Sequence, residues 1–236
     1  MLSDVDIQEA IKERENDSKQ GICIDPFEEK YLTPVGYDLR VGLKGFSWKN
    51  KRELNIETDL KITIESQDTV IIETLEEVSL SKKIGGTVHS MVSRVVPEGL
   101  SHISTTVDPG WTGKMLISIH NHLDTSVELE FKESFCTLCF YEIKTPADKD
   151  IRIAQDRDDL WKELKRKASR EKEKEDNKKR LENLNRIFLI AALVFVACAV
   201  PIIIAIAFKN LALGQVIATI IGILVNSLLV LFLKPR

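Results

Sequence analysis

The sequence predicts an all-β distorted barrel with a short N-terminal helix, followed by a charged helical stalk and two transmembrane α-helices. Three observations carry this. Residues 187–208 and 211–233 contain no charged side chain, and residues 156–186 hold 21 charged side chains among 31. The first 146 residues alternate apolar and polar side chains between Gly, Pro and Asp punctuation. The predicted segments are therefore 1–146, 147–186 and 187–236. A length of 236 residues allows one or two domains, and 33 basic against 36 acidic side chains give a net charge of −3. A basic nucleic-acid-binding surface is thereby disfavoured, so no nucleic-acid partner is expected.

In the first segment, residues 3–15 read as a helix capped by Ser3, with Asp4 and Asp6 in its first turn. Alternation then marks strands at 61–65, 70–74, 115–120, 127–131 and 135–141, the pattern of a compact all-β barrel or double sheet. Four cysteines, Cys23, Cys136, Cys139 and Cys198, are too few and scattered for a disulfide scaffold, and no N-terminal signal peptide is evident. Cys136 and Cys139 lie three apart in a strand, on opposite faces, and read as buried thiols rather than a metal site.

The stalk is rich in helix formers, lacks Gly and Pro, and gathers its bases toward the apolar segment, where anionic headgroups would attract them. Residues 187–208 span about 33 Å as a helix, enough for a hydrocarbon core. Only Lys209 and Asn210 separate them from 211–233, so the two form an antiparallel hairpin with a lipid bilayer as partner. Lys178, Lys179, Arg180 and Arg186 precede the first helix, and Lys234 and Arg236 follow the second. This bias places the chain in the inner (plasma) membrane, multi-pass, with its N-terminal domain and C-terminus cytoplasmic. Pro201 should kink the first helix, Gly214 and Gly222 allow close approach in the second, and Gln215, Thr219 and Asn226 fall roughly on one face.

The strongest local signal for chemistry is residues 105–121. Asp108-Pro109-Gly110 is turn chemistry joining two strands, and Met115, Ile117 and Ile119 share one face while Leu116, Ser118 and His120 share the other. Asp108 at a rigid turn beside an exposed Trp111 can hold a sugar, the carboxylate accepting from a hydroxyl and the indole packing on the ring.

With the rest of the chain beside it, this stretch resembles the dCTP deaminase and dUTPase superfamily. LSDVDIQEAI at 2–11, IDPF at 24–27, LTPVGYDLRVG at 32–42, VDPGWTG at 107–113 and FKESFCTLCFYEI at 131–143 match it in order and spacing. The resemblance implies a dUTPase-like distorted barrel, assembled as a homotrimer or higher oligomer with nucleotide sites between subunits. It implies that Asp108 holds a deoxyribose 3′-hydroxyl, and that Ser90 and Arg94, within HSMVSR at 89–94, bind phosphate. No resident cofactor is implied, with Mg2+ a candidate only alongside a bound nucleotide. Three departures stand out. His89 and Met91 replace an arginine and a serine, VVPE at 95–98 reads as an insertion, and Ser118 stands where the deaminases carry a glutamate.

That glutamate takes the proton of the attacking water and hands it to the leaving amine, which a serine hydroxyl cannot do near neutral pH. His120 is the nearest candidate substitute on that face. Nothing after Ile143 resembles the glycine-rich arm with which dUTPases close their sites. The sequence therefore predicts a chain that is not an enzyme: a nucleotide-sensing membrane effector whose ligand is a dNTP or a cyclic oligonucleotide. Its architecture is similar to that of bacterial anti-phage membrane effectors, an analogy of architecture alone. The alternative is a membrane-tethered dCTP deaminase/dUTPase-type enzyme acting on deoxynucleotides, and a third reading is a membrane-anchored scaffold.

Overall fold

The computed structural model describes residues 1–149, 158–208 and 211–233. Lys209, Asn210, Lys234, Arg236 and the side chain of Asn226 lie outside the described residues, and so do the expectations resting on them. The chain divides into two compact units, Met1–Ser169 and Arg170–Arg236.

The first unit opens with α1 (Asp4–Asn16), which forms for the reason the sequence gives. The Ser3 hydroxyl accepts from the Asp6 N–H at 3.2 Å and the Asp6 carboxylate accepts from the Ser3 N–H at 2.8 Å, a reciprocal cap. Strands β1 (Ile22–Asp25), β2 (Leu32–Thr33), β3 (Gly36–Ser47) and β4 (Arg52–Asn55) follow, then the short α2 (Ile56–Asp59). Next come β5 (Lys61–Ile64), β6 (Thr69–Leu80), β7 (Ile84–Ser90), α3 (Val92–Glu98), β8 (Leu100–His102) and β9 (Thr105–Val107). The last strands are β10 (Thr112–Asn121), β11 (Val127–Glu130) and β12 (Ser134–Glu142).

One antiparallel sheet runs β8-β10-β6-β3-β12-β7-β9, with β1 on β6 and β2 and β4 on β3, while β5 and β11 pair separately. The ladder curls into a half-barrel rather than the closed barrel the alternation suggests. Register shifts between Val41 and Gly45, Lys114 and Leu116, and Ser134 and Cys136 add local twist. Its end strands β8 and β9 do not pair with each other among the described residues. The concave face is the core: Met115, Ile117 and Ile119 are 2–4% exposed, as their alternation requires, beside Val70, Ile72 and Leu138.

One charged pair crosses that apolar frame. Arg40 on β3 donates from Nε to Glu76 on β6 at 2.5 Å, from its backbone N–H to the same carboxylate at 2.9 Å, to the Pro26 carbonyl at 2.8 Å, and to Glu28. Burial pulls the guanidinium down, but Glu76 and Glu28 outweigh it and hold Arg40 above its ordinary value. Asn121 is a second buried polar staple: its Nδ2 donates to the carbonyls of Ile64, Glu65 and Thr125, closing the loop after β10 onto β5. Cys136 and Cys139 are both buried.

In the second unit, α4 (Asp158–Phe208), whose first turns belong to the first unit, is one helix. The stalk and the first apolar segment, predicted as separate pieces, are continuous. The cause is that residues 158–200 contain no Gly or Pro, so the boundary near Arg186 is a change of polarity and not of backbone. The helix continues through Pro201. Helix α5 (Leu211–Leu233) follows. Among the described residues, one helical stretch, within Asp158–Ile203, is long and apolar enough to cross a membrane by length and composition, and a shorter apolar stretch covers Gly214–Ile223. The Thr219 hydroxyl donates to the Gln215 carbonyl at 3.0 Å, engaging its own helix backbone.

Candidate active site

The hairpin between β9 and β10 presents Asp108. The Trp111 N–H donates to the Asp108 carbonyl at 3.1 Å, and the Gly110 N–H to the Ser81 carbonyl at 3.0 Å. Gly110 has φ +87°, a conformation that favours glycine and fixes the turn. The Asp108 carboxylate is exposed, free to accept from a ligand hydroxyl. Trp111 corrects an expectation. It is 7% exposed and packed in the core, with its indole N–H donating to the Gly113 carbonyl at 3.0 Å, so it is no open platform for a sugar ring. An indole at a strand start gains more from apolar burial with its N–H satisfied locally than from facing water.

Ser90 ends β7 and Arg94 lies on α3, and the two line a small hollow together with His102 of β8. Arg94 is already engaged: Nη1 donates to Glu98 at 2.6 Å, Nη2 to Glu133, and Nε to the Ser134 carbonyl at 3.2 Å. Burial pulls this guanidinium down, but the two carboxylates outweigh it and raise it, so Arg94 stays cationic. A phosphate reaching Arg94 competes with Glu98 and Glu133. Among the described residues, no hydrogen bond or ion pair joins Arg94 to Asp108 within one chain.

Ser118 and His120 lie on the convex face of β10, and the strand register shows what surrounds them. Ile71 of β6 faces Ser118 on one side and Phe46 of β3 on the other, which makes one row across three strands. One row away, Glu73 of β6 faces Leu116. One row the other way, Thr69 faces His120 and its hydroxyl bonds the His120 Nδ1 at 3.0 Å. The His120 ring also meets His122 edge to face at 4.5 Å between centroids. His120 is therefore tied to its own strand neighbours.

The first turns of α4 pack on this convex face. Trp161, Leu164 and Ala168 form a cluster with Phe46, Trp48, Ile71 and Leu116, and Lys165 pairs with Glu53 at 2.8 Å. Trp161 and Ala168 are 6% and 2% exposed. The spacing of these three residues puts them on one helix face. Sequence reasoning treated this stretch as solvated stalk; the signal available was an apolar triplet within a charged run.

Two residues were missed. Glu73 is 7% exposed, and its nearest opposite charge is Lys114 Nζ at 3.9 Å. His102 has both ring nitrogens buried without a hydrogen-bond partner. Among the described residues no group of three His, Cys, Asp or Glu side chains could hold a metal ion.

A half-barrel that offers a carboxylate at a rigid hairpin, with a Ser–Arg segment on the next strand and helix, defines a class of protein that can be placed by comparison. The family described as dCTP deaminase-like matches residues 1–143, and the chain belongs to it. The dCTP deaminase of Thermococcus kodakarensis is 34% identical over 134 residues, covering 57% of this chain and 84% of that protein. The dUMP-forming dCTP deaminase of Tropheryma whipplei is 26% identical over 163 residues, covering 62% of this chain and 80% of that protein. The solved 2′-deoxycytidine 5′-triphosphate deaminase of Agrobacterium tumefaciens superposes with a TM-score of 0.47 at 14% identity, over 59% of this chain and 45% of that chain.

These relatives overturn the expectation that the chain is not an enzyme. Six at 31–34% identity carry the name dCTP deaminase, which points to an enzyme. The expectation rested on one position, Ser118, and on a missing arm.

Proposed function

We propose that the first unit deaminates a deoxycytidine nucleotide, converting dCTP and water to dUTP and ammonia, in sites completed between copies of a homotrimer. The observation that carries this is the 34% identity running over 84% of the T. kodakarensis dCTP deaminase. The exposed Asp108 carboxylate, on a turn fixed by two backbone hydrogen bonds, fits the role of holding the sugar hydroxyl. Ser90 and Arg94 would take the phosphates, and Mg2+ would arrive on the triphosphate as part of the substrate. Residues 187–236 would tether the unit to a membrane, with 1–146 and the stalk on its cytosolic side. The test is ammonia release from dCTP by the full chain in detergent. Turnover lost in Asp108→Asn supports the reading; the absence of ammonia from the wild-type chain at enzyme-like concentrations overturns it.

A second reading, favoured by the apolar stretch within Asp158–Ile203, adds an output to the same site: nucleotide occupancy controls damage to the membrane by the apolar helices. Dye uptake in cells expressing the full chain tests it. Cells that stay polarised with and without deoxynucleotide depletion, and a phenotype unaltered by deleting 187–236, reduce the segment to an anchor.

A further inference from the structure

Arg94 is the cation available for phosphate in the proposed nucleotide site, yet its own chain already engages it. Nη1 donates to Glu98 at 2.6 Å, Nη2 to Glu133, and Nε to the Ser134 carbonyl at 3.2 Å. One guanidinium against two carboxylates leaves this cluster net negative, which repels a polyphosphate. A phosphate therefore gains Arg94 only when one carboxylate lets go.

The two carboxylates are not equally fixed. Glu133 uses its second oxygen, Oε2, to accept from the Glu130 backbone N–H at 2.7 Å, within the turn between β11 and β12. Glu98 has no such anchor, because its Oε2 is buried without a hydrogen-bond partner among the described residues. It is also the last residue of the seven-residue α3, next to Gly99, whose φ of +60° ends the helix. A buried acceptor left without a donor costs stability, so Glu98 is the carboxylate that is held less firmly.

A second buried group is its complement. His102, four residues on, has both ring nitrogens buried without a partner among the described residues. A neutral imidazole always carries one N–H donor. His102 is thus a donor lacking an acceptor, where Glu98 Oε2 is an acceptor lacking a donor. Both border Arg94: Glu98 through its ion pair, and His102 as another wall of the hollow that Arg94 and Ser90 line. That hollow, about 10 Å³, has room for about one water and none for a phosphate. A phosphate therefore meets Arg94 on the outer side of its guanidinium, whose side chain is 18% exposed.

We propose that Glu98 is an internal competitor for the phosphate site, holding Arg94 until a nucleotide phosphate displaces it and its carboxylate transfers to His102. This rests on the reading of Ser90 and Arg94 as phosphate-binding residues. Glu98 then decides which ligands are admitted. Only a ligand with enough negative charge displaces it, which favours a nucleoside triphosphate over a nucleoside. Glu98 closes the 95–98 segment that reads as an insertion, so the device lies where this chain departs from the family pattern.

The experiment uses the full chain in detergent and follows thermal shift against dCTP and against 2′-deoxycytidine, which has no phosphate. Glu98→Gln keeps the shape and removes the charge; it should bind dCTP at least fivefold more tightly, while deoxycytidine affinity changes less than twofold. A purely structural Glu98 predicts the opposite, a lower melting temperature with dCTP binding unchanged or weaker. Glu98→Ala, with the same gain expected, takes its place should Glu98→Gln fail to fold. His102→Phe keeps a ring and removes the nitrogens, and should weaken dCTP binding at least threefold with deoxycytidine again unchanged. A gain under fivefold in the Glu98 variant, or one shared equally by deoxycytidine, overturns the competitor role. Unaltered dCTP binding in His102→Phe overturns the transfer to His102. A wild-type chain whose melting temperature does not respond to millimolar dCTP overturns the phosphate-site reading and the competitor role together.

Discussion

Replacing Arg40 with methionine tests whether the half-barrel depends on the buried Arg40–Glu76 pair. The side chains of Arg40 and Glu76 are 1% and 0% exposed, so the substitution strands a carboxylate that water does not reach. Removing one partner of such a pair costs about 3–5 kcal/mol. For a unit the size of Met1–Ser169 each kcal/mol moves the melting temperature by about 2–4 °C, so the variant should melt roughly 6–20 °C lower. The loss should also depend on pH. Burial already pushes the Glu76 carboxyl above its ordinary value, against the pull of Arg40, and without Arg40 only the upward push remains. A carboxyl that holds its proton more tightly folded than unfolded contributes stability below the unfolded value and loses it as pH rises toward the folded one. The deficit of Arg40→Met against wild type should therefore be smaller at pH 5 than at pH 8, by tryptophan-fluorescence melts of the full chain in detergent. A loss below about 1 kcal/mol, or one equal at both pH values, refutes the argument.

Other perturbations separate packing from chemistry. Ala168→Glu places a charge in a contact that is 2% exposed, so it should cost about 2 kcal/mol or more and shift the Trp161 emission to the red, whereas Lys165→Ala removes only an exposed pair and should cost under about 1 kcal/mol. Asp108→Asn should leave the melting temperature within about 1 °C, since surface changes are usually small, while the dCTP-induced thermal shift falls by at least half. Burial pushes the Cys136 thiol well above its ordinary value, so under native conditions maleimide should label half-exposed Cys23 at least tenfold faster, and equal rates would contradict the burial.

Local signals were the most legible. The Ser3 cap of α1 and the alternation of β10 follow from neighbouring residues alone, and both appear as the sequence demands. The order of family-like segments made the domain recognisable across residues 1–143. What the sequence hid was non-local. Arg40 and Glu76 are 36 residues apart, and nothing in either strand's pattern announces that they meet. The apolar residues Trp161, Leu164 and Ala168 look like exceptions in a charged run until Phe46, Trp48, Ile71 and Leu116 supply the surface they cover. Trp111 misled for a related reason: an aromatic after a turn suggests an exposed ring, and its burial is set by a core assembled from distant strands.

Ser118 shows why the activity was harder to read than the fold. A motif is compared along one strand, so a missing glutamate at one position reads as a missing function. An antiparallel sheet, however, brings residues of neighbouring strands onto one face, and Phe46, Ile71 and Ser118 come from three strands to make a single row. The chemical requirement is a carboxylate within reach of the reacting carbon, which constrains the face and not the strand. Sequence reasoning looked for a substitute only on β10, where His120 is held by Thr69.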